Sequence, residues 1–509
     1  MPRFKHYNQG QTVLLPVSFD RQILPGTFEH TLNYLVDEKL DLTIFHHKYN
    51  NETTGRPAYD PALLLKIVLL AYSRGITGSR RIEALCRENV LFMALSADTQ
   101  PHFTTIADFI SSSADEISKL FKQVLLICDE IGLIGKEMFA IDGCKLPSNA
   151  SKEWSGTHEN LKKKSKKIDR AVRYMLTKHR NEDQQGENDI SIRKREEKQI
   201  KTLLKASDKI DRFLQENDKR LGYSGNEVQS NVTDNESAKM KTSNGVIQGY
   251  CGVSVVDSRH QVVVSAEAYG QGQEHGLLEP MVEKIEAAFI DDKQSPLQNG
   301  KILADSGYCN KEALLYLEER DIDGYIADNG FRSRDPRFKT AGRHKPAAKK
   351  KQNNKNRFTV ADFTVDIDKQ SCICPAGKKL WLKNTKAKIT GNIFMQFQGH
   401  KEDCDHCTLR NQCLRSVKQK GARQVNVKIG STDKKKSGPL VRMKQKIDST
   451  LGRHIYSMRL GIVEPVFGHI NDAIGIKRFT LRSKKKVNAQ WQLMNMLHNL
   501  TKVHRFGTI

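Results

Sequence analysis

No run of apolar residues in this chain is long enough to cross a bilayer. The most apolar stretch, Leu63 to Tyr72, is short and broken by Lys66, and the start from Met1 to Gln11 is polar. A spanning helix needs about 20 apolar residues, and a secretory leader needs an apolar core behind a basic start, so neither is expected and the chain reads as cytoplasmic with no membrane partner. A GxxxxGK[ST] phosphate loop is also missing, which argues against an ATP-driven helicase or regulator of that class. There is no fixed-period repeat. The ten cysteines are too unevenly spaced for a secreted disulfide framework, so thiol or metal roles are to be sought locally. His158, His275 and His469 stand singly beside no nucleophile motif and read as packing or surface residues. Acid is scarce as well: 59 acidic residues against 83 lysines and arginines leave a net charge of +24. That balance favours a polyanionic partner, nucleic acid ahead of an anionic membrane surface.

At 509 residues the chain exceeds what one core organises, so several domains are expected. Asp60-Pro61 is a cap followed by a first-turn proline, and Leu63, Ile67, Leu70 and Ala71 then share a helical face. Gly75 ends that helix, and after the turn Ser79 can cap a second one carrying Arg80, Arg81 and Arg87. The pair reads as a helix-turn-helix with a basic face, so these arginines are candidate DNA contacts, against the plainer alternative of ordinary helix packing. Ser113 with Glu116 has the spacing of a capping box for a third helix. Residues 1–135 are therefore expected to form an all-helical domain.

From residue 136 the pattern changes to α/β. Met138 to Ile141 is a short apolar run stopping at Asp142-Gly143, and Ile302 to Ala304 is another stopping at Asp305-Ser306-Gly307. Between them lie a charged helical insertion at about 155–225, a strand pair turning at Asp257 to His260, and a helix near Glu274 to Phe289. A helix over Lys311 to Arg320 and a strand at Gly324 to Ala327 follow. Residues 136–330 thus read as the first part of a core, 331–445 as a basic linker with a cysteine-bearing insertion, and 446–509 as the core's last part.

Cleaving and joining phosphodiesters without a covalent intermediate needs two divalent ions about 4 Å apart, held by carboxylates on rigid elements. Asp142 and Asp305, each ending a short strand, share a sheet edge if those strands are neighbours. Near the C-terminus stands Tyr456-Ser-Met-Arg459-Leu-Gly-Ile-Val-Glu464-Pro-Val-Phe, in which Tyr456 and Arg459 share a helical face and Arg459 can hold a phosphate bidentately. Taken with AIDGCKLPSNAS at Asp142, TDNESAKM from Thr233, ILADSGY at Asp305 and RFTLRSKKKVNAQWQL from Arg478, the chain resembles the DDE transposases of bacterial insertion sequences.

The resemblance implies a ribonuclease H-like mixed sheet with helical insertions behind the all-α N-terminal domain. In it Asp142, Asp305 and Glu464 would bind two magnesium ions, or manganese in their place, and Tyr456 and Arg459 would support them. It also implies double-stranded DNA as element end and target, action as a homo-oligomer, and a nucleoid-associated bacterial protein. The chain departs from the family pattern at Asn471-Asp472, where a basic residue is usual, with Lys477-Arg478 coming later. Lys477, Arg478 and Arg482 are further candidate DNA contacts. A DNA-binding protein without catalysis, or a nuclease of the same fold that does not rejoin ends, are the competing readings.

Two further segments stand apart. Residues 343–357 contain seven lysines and arginines and no acid, which suits a linker or a phosphate-binding segment. Cys404-Asp-His-Cys407 has the spacing that lets two thiolates meet one zinc, and Cys374 and Cys413 can complete a tetrahedral set, with reduced structural cysteines as the alternative.

Overall fold

The computed structural model describes residues 17–49, 51, 57–185, 190–222, 225–243, 245–290, 295–338, 357–389, 392–414, 421–431 and 438–507. The chain divides into two compact units, one formed by Met1–Asp328 with Ser449–Ile509 and the other by Asn329–Asp448. The larger unit is built on a mixed sheet whose principal strands are β1 (Met138–Pro147), β2 (Gly245–Asp257), β3 (Val263–Tyr269), β4 (Lys301–Ala304) and β5 (Asp323–Ile326). Across the sheet they lie in the order β3-β2-β1-β4-β5, with Ala238–Thr242 also pairing with the start of β2. β1, β2 and β3 run antiparallel, whereas β4 and β5 run parallel to β1. This is the ribonuclease H-like arrangement, here interrupted by helical insertions. A meander can be joined by tight turns, while each parallel return needs a helical crossover, which Leu278–Ala288 and Lys311–Glu319 supply. The β2-β3 turn is held by Asp257, whose carboxylate accepts from the backbone of Gly135, Lys136 and Arg259.

β1 runs further than its apolar residues predict, because β2 continues to pair with it from Phe139 as far as Pro147. Asp142 therefore lies within the strand, and what stops beside it is the partner β4, whose pairing with β1 ends at Ile141 opposite Ala304. The charged insertion forms two long helices, His158–Gln185 and Ile190–Glu216, with a small core of Leu161, Ile210, Phe213 and Val232.

The C-terminal helix Lys484–Phe506 is buried along most of its length despite a negative mean hydropathy, because its amides bond to the sheet backbone. Asn499 Oδ1 accepts from Val263 N and its Nδ2 donates to Val263 O, Asn488 Oδ1 accepts from Ala268 N, and Trp491 Nε1 donates to Val253 O. Only a glycine at 252 leaves room for the indole, since a Cβ there would lie 2.8 Å from it. The N-terminal helices pack on this same helix, so they share the large unit rather than forming a separate compact body. Asp60 caps Pro61–Ser73 through Ala62 N, and Gly75, at φ +72°, ends the turn against the Ile474 carbonyl. The Ser79–Glu88 helix follows with Gly78, not Ser79, at its cap position and no side-chain cap bond, and two short helices not foreseen from the sequence, Val90–Leu95 and Phe103–Ser112, come next. The capping box at Ser113 does not form. Ser113 Oγ accepts instead from Lys48 Nζ, and the buried Glu116 is drawn to His47 and Lys48.

The smaller unit carries a five-stranded antiparallel meander, Thr364–Asp366, Ser371–Ile373, Lys379–Ile389, Asn392–Gln398 and Gln424–Ser431. Its buried core consists of Phe363, Cys372, Leu380, Met395, Phe397 and Val425. The lysine- and arginine-rich stretch 343–357 lies outside the described residues except for Arg357. Among the described residues, no helix is long and apolar enough to cross a membrane.

Candidate active site

Strand register brings the two aspartates together. Ile141 is paired with Ala304 in the parallel ladder, so Asp142 and Asp305 are the next residues on strands about 4.8 Å apart. Each carboxylate is turned by the glycine near it: Asp142 Oδ1 accepts from Gly143 N at 2.8 Å and Asp305 Oδ1 from Gly307 N at 2.6 Å. Gly143 and Gly307 also make space, because a Cβ on either would crowd the carboxylate of Glu274.

Glu274 is the acid that the sequence reading missed. It precedes the Leu278–Ala288 helix in a turn, and neither periodicity nor a strand end marks it. Burial, with Asp305 and Asp142 adding repulsion, pushes its carboxyl up to about 7. Asp142 is also raised by burial, against the opposing pull of Arg459. Tyr308, fully buried behind these acids, has a hydroxyl with no hydrogen-bond partner. The oxygens of Asp142, Asp305 and Glu274 do not all lie within 4.8 Å of one another, so the three acids share a neighbourhood without forming a closed ligand set, although carboxylates are the donors that a hard divalent cation takes.

Arg459 is the cation already present. From the Thr450–Gly468 helix its guanidinium reaches Asp142 Oδ2 at 2.6 Å, and it is nearly buried. Burial alone would lower its pKa, but Asp142 and Tyr456 carry it above the ordinary value. The Tyr456 ring lies 5.9 Å from that guanidinium, and burial raises its phenol. Glu464 falls elsewhere. It is five positions beyond Arg459, about 140° around the helix, and it is exposed. The charged groups that act most on Asp142, Glu274 and Arg459 are one another together with Asp305, Tyr456 and Lys145, and Glu464 is not among them.

Residues 373–504 match the family described as a transposase DDE domain, and residues 17–112 match a family described as a transposase domain. The chain is a DDE-type transposase of an insertion element. The first match covers Tyr456, Arg459 and Glu464, while Asp142 and Asp305 lie before it. The second covers the N-terminal helices. No curated protein matches the transposase.

The family acts on the DNA of element ends, using divalent metal ions. In this transposase Arg80, Arg81 and Arg87 are exposed on the Ser79–Glu88 helix, with Arg81 paired to Glu88, Arg87 to Glu83, and Arg80 stacked over Phe103. Arg478 and Arg482 line a cleft of about 450 Å³ with Lys209 and Trp154. Lys477 is exposed and pairs with Asp472 at 3.4 Å. A second cleft, of about 750 Å³, is lined by Lys145, Lys239, Lys241 and His275. It adjoins the acids, since Lys145 acts electrostatically on Glu274.

Proposed function

We propose that the transposase cuts element ends, and joins them to target DNA, at Asp142 and Asp305, with Glu274 as the third carboxyl facing the ion and Arg459 holding a phosphate. The parallel register that sets Asp142 beside Asp305 carries this reading. Asp142, Asp305 and Glu274 would hold magnesium, or manganese in its place. Bound there, such ions activate an attacking oxygen and stabilise a leaving one. Arg459, anchored on Asp142, presents a planar fork suited to a phosphate. Tyr456 packs on that guanidinium and limits where it can swing. Lys145, Lys239 and Lys241 supply positive charge along the adjoining cleft for the DNA backbone, and the Arg80, Arg81 and Arg87 face, with Lys477, Arg478 and Arg482, adds contacts away from the acids.

Glu464 is the acid favoured by resemblance, and it lies in the matched segment. Being exposed, it meets the ion only if the helix or its side chain turns inward when DNA binds. The test is a set of single substitutions, D142N, D305N, E274Q and E464Q, assayed on a plasmid carrying the element's ends with magnesium, following both cleaved ends and joined product. Loss of cleavage in D142N and D305N with DNA binding retained is the expected result; cleavage by either variant rejects the assignment. Loss in E464Q together with normal cleavage by E274Q would move the third carboxyl to Glu464. A wild-type protein that binds DNA and never nicks it would leave only the non-catalytic reading, and cleaved ends without joined product would make it a nuclease.

A further inference from the structure

Among the described residues of the small unit, Asn329–Asp448, the meander is centred on one cluster of buried side chains, Phe363, Cys372, Leu380, Met395, Phe397 and Val425. Small domains are commonly stapled by a metal or by disulfides. Four of its five cysteines converge on one cavity of about 40 Å³: Cys374, Cys404, Cys407 and Cys413 line it. The fifth, Cys372, is fully buried in the core.

The backbone around these thiols is arranged as metal-binding loops require. Cys374 starts a tight turn in which Gly377, at φ +76°, donates to Cys374 O, Lys378 O accepts from Cys374 N, and Lys378 N points at Cys374 Sγ at 3.4 Å. Such N–H groups stabilise thiolate sulfur. Cys404 and Cys407 lie on and just beyond the short Lys401–Asp405 helix, where Arg410 Nη1 donates to Cys404 O at 2.7 Å and Arg410 N to Cys407 O at 3.1 Å. Cys413 ends the next turn, with Arg423 Nη1 on its carbonyl. Gly399 leaves room for Cys404, since a Cβ there would meet Cys404 Sγ at 3.1 Å. Lys378, Lys379, Arg410 and Arg423 line the cavity together with Asp403; Lys378 pairs with Asp403 and Arg410 with Asp405, so the basic side chains offset only part of the double negative charge that a four-thiolate zinc centre carries.

From this we infer that Cys374, Cys404, Cys407 and Cys413 bind one structural zinc ion that staples the small unit. No three of these sulfurs lie mutually within 4.8 Å, so loading draws the three loops inward until the sulfurs sit about 3.8 Å apart, the spacing of a tetrahedral centre with 2.3 Å bonds. The one group among the described residues that meets the 4.8 Å spacing, His179, Glu182 and Glu196, is tied up internally: Lys178 pairs with both glutamates and His179 Nε2 lies 2.6 Å from Glu196.

The test uses full-length protein purified without chelator. Elemental analysis should find about one zinc per chain, lowered about tenfold in C404S/C407S and unchanged in C86A. Cobalt exchanged into the wild type should give the intense sulfur-to-metal charge-transfer and ligand-field bands of tetrahedral thiolate coordination. That readout needs no variant to fold, and it separates the cysteines from the oxygen ligands of the catalytic acids. Reduced wild type that takes up neither zinc nor cobalt into thiolate coordination overturns the inference, as does full zinc content in C404S/C407S. Neither outcome bears on cleavage at Asp142 and Asp305.

Discussion

Replacing Glu274 by glutamine should stabilise the metal-free transposase at high pH and weaken its response to magnesium. The wild-type carboxyl is carried from its ordinary 4.5 to about 7 by burial and by its neighbours Asp305 and Asp142. At about 1.4 kcal/mol per unit the ceiling is about 3 kcal/mol. Because the side chain is partly exposed, screening reduces this to roughly 1–2 kcal/mol. The folded protein holds this proton more tightly than the unfolded chain does, so the contribution is absent below about pH 4.5 and costs stability progressively as pH rises through about 7. Thermal unfolding in chelator at pH 8 should therefore show E274Q melting roughly 2–4 °C above wild type, with the difference vanishing near pH 4.5. Magnesium should reverse the order at pH 8, because the ion compensates the carboxylate and has less to bind in the variant. Calorimetry near neutral pH should also show the wild type releasing a proton as magnesium binds. Identical pH profiles for the two proteins, with and without magnesium, would refute the placement of Glu274 beside the aspartates.

Arg459→Ala leaves the Asp142 carboxylate partly buried without its partner, so a loss of about 3 kcal/mol in denaturant unfolding is expected along with loss of cleavage. Arg459→Lys should recover more stability than activity, since lysine restores charge but not the planar fork. Gly307→Ala places a methyl against Glu274 and Asp305, and should abolish cleavage while DNA binding in a mobility-shift assay persists. Asn499→Leu removes both bonds to Val263 and strands buried backbone groups, for a cost of about 2–3 kcal/mol by chemical denaturation. Burial lowers His498 to about 3, so the folded state resists its protonation and stability should fall as pH drops below about 6.5; a His498→Gln variant should lose less over that range in acid titration.

Much of the scaffold can be traced to short-range signals. Asp60-Pro61 starts a helix because the side chain caps it and the proline needs no N–H there. Tyr456 and Arg459 share a face because they are three apart on a helix, and both look toward Asp142. The same rule shows Glu464 turned about 140° from Arg459, so its grouping with the aspartates came from resemblance and not from helical geometry. Ser113 and Glu116 have capping-box spacing, yet Lys48 and His47, distant in sequence, offered both side chains stronger partners. Glu274 had no local mark at all.

Taken alone, the order of residues determined some element starts, such as the helix at Pro61, the positive charge that suits DNA, and the cysteine spacing, because each depends on composition or on neighbours a few positions apart. Tertiary structure alone decided that Ile141 pairs with Ala304 and thereby sets Asp142 beside Asp305. It also decided that Glu274 is crowded against both, and that four cysteines on separate loops face one cavity. Strand register and loop packing are settled by burial of whole faces, and that energy belongs to the assembled sheet rather than to any segment.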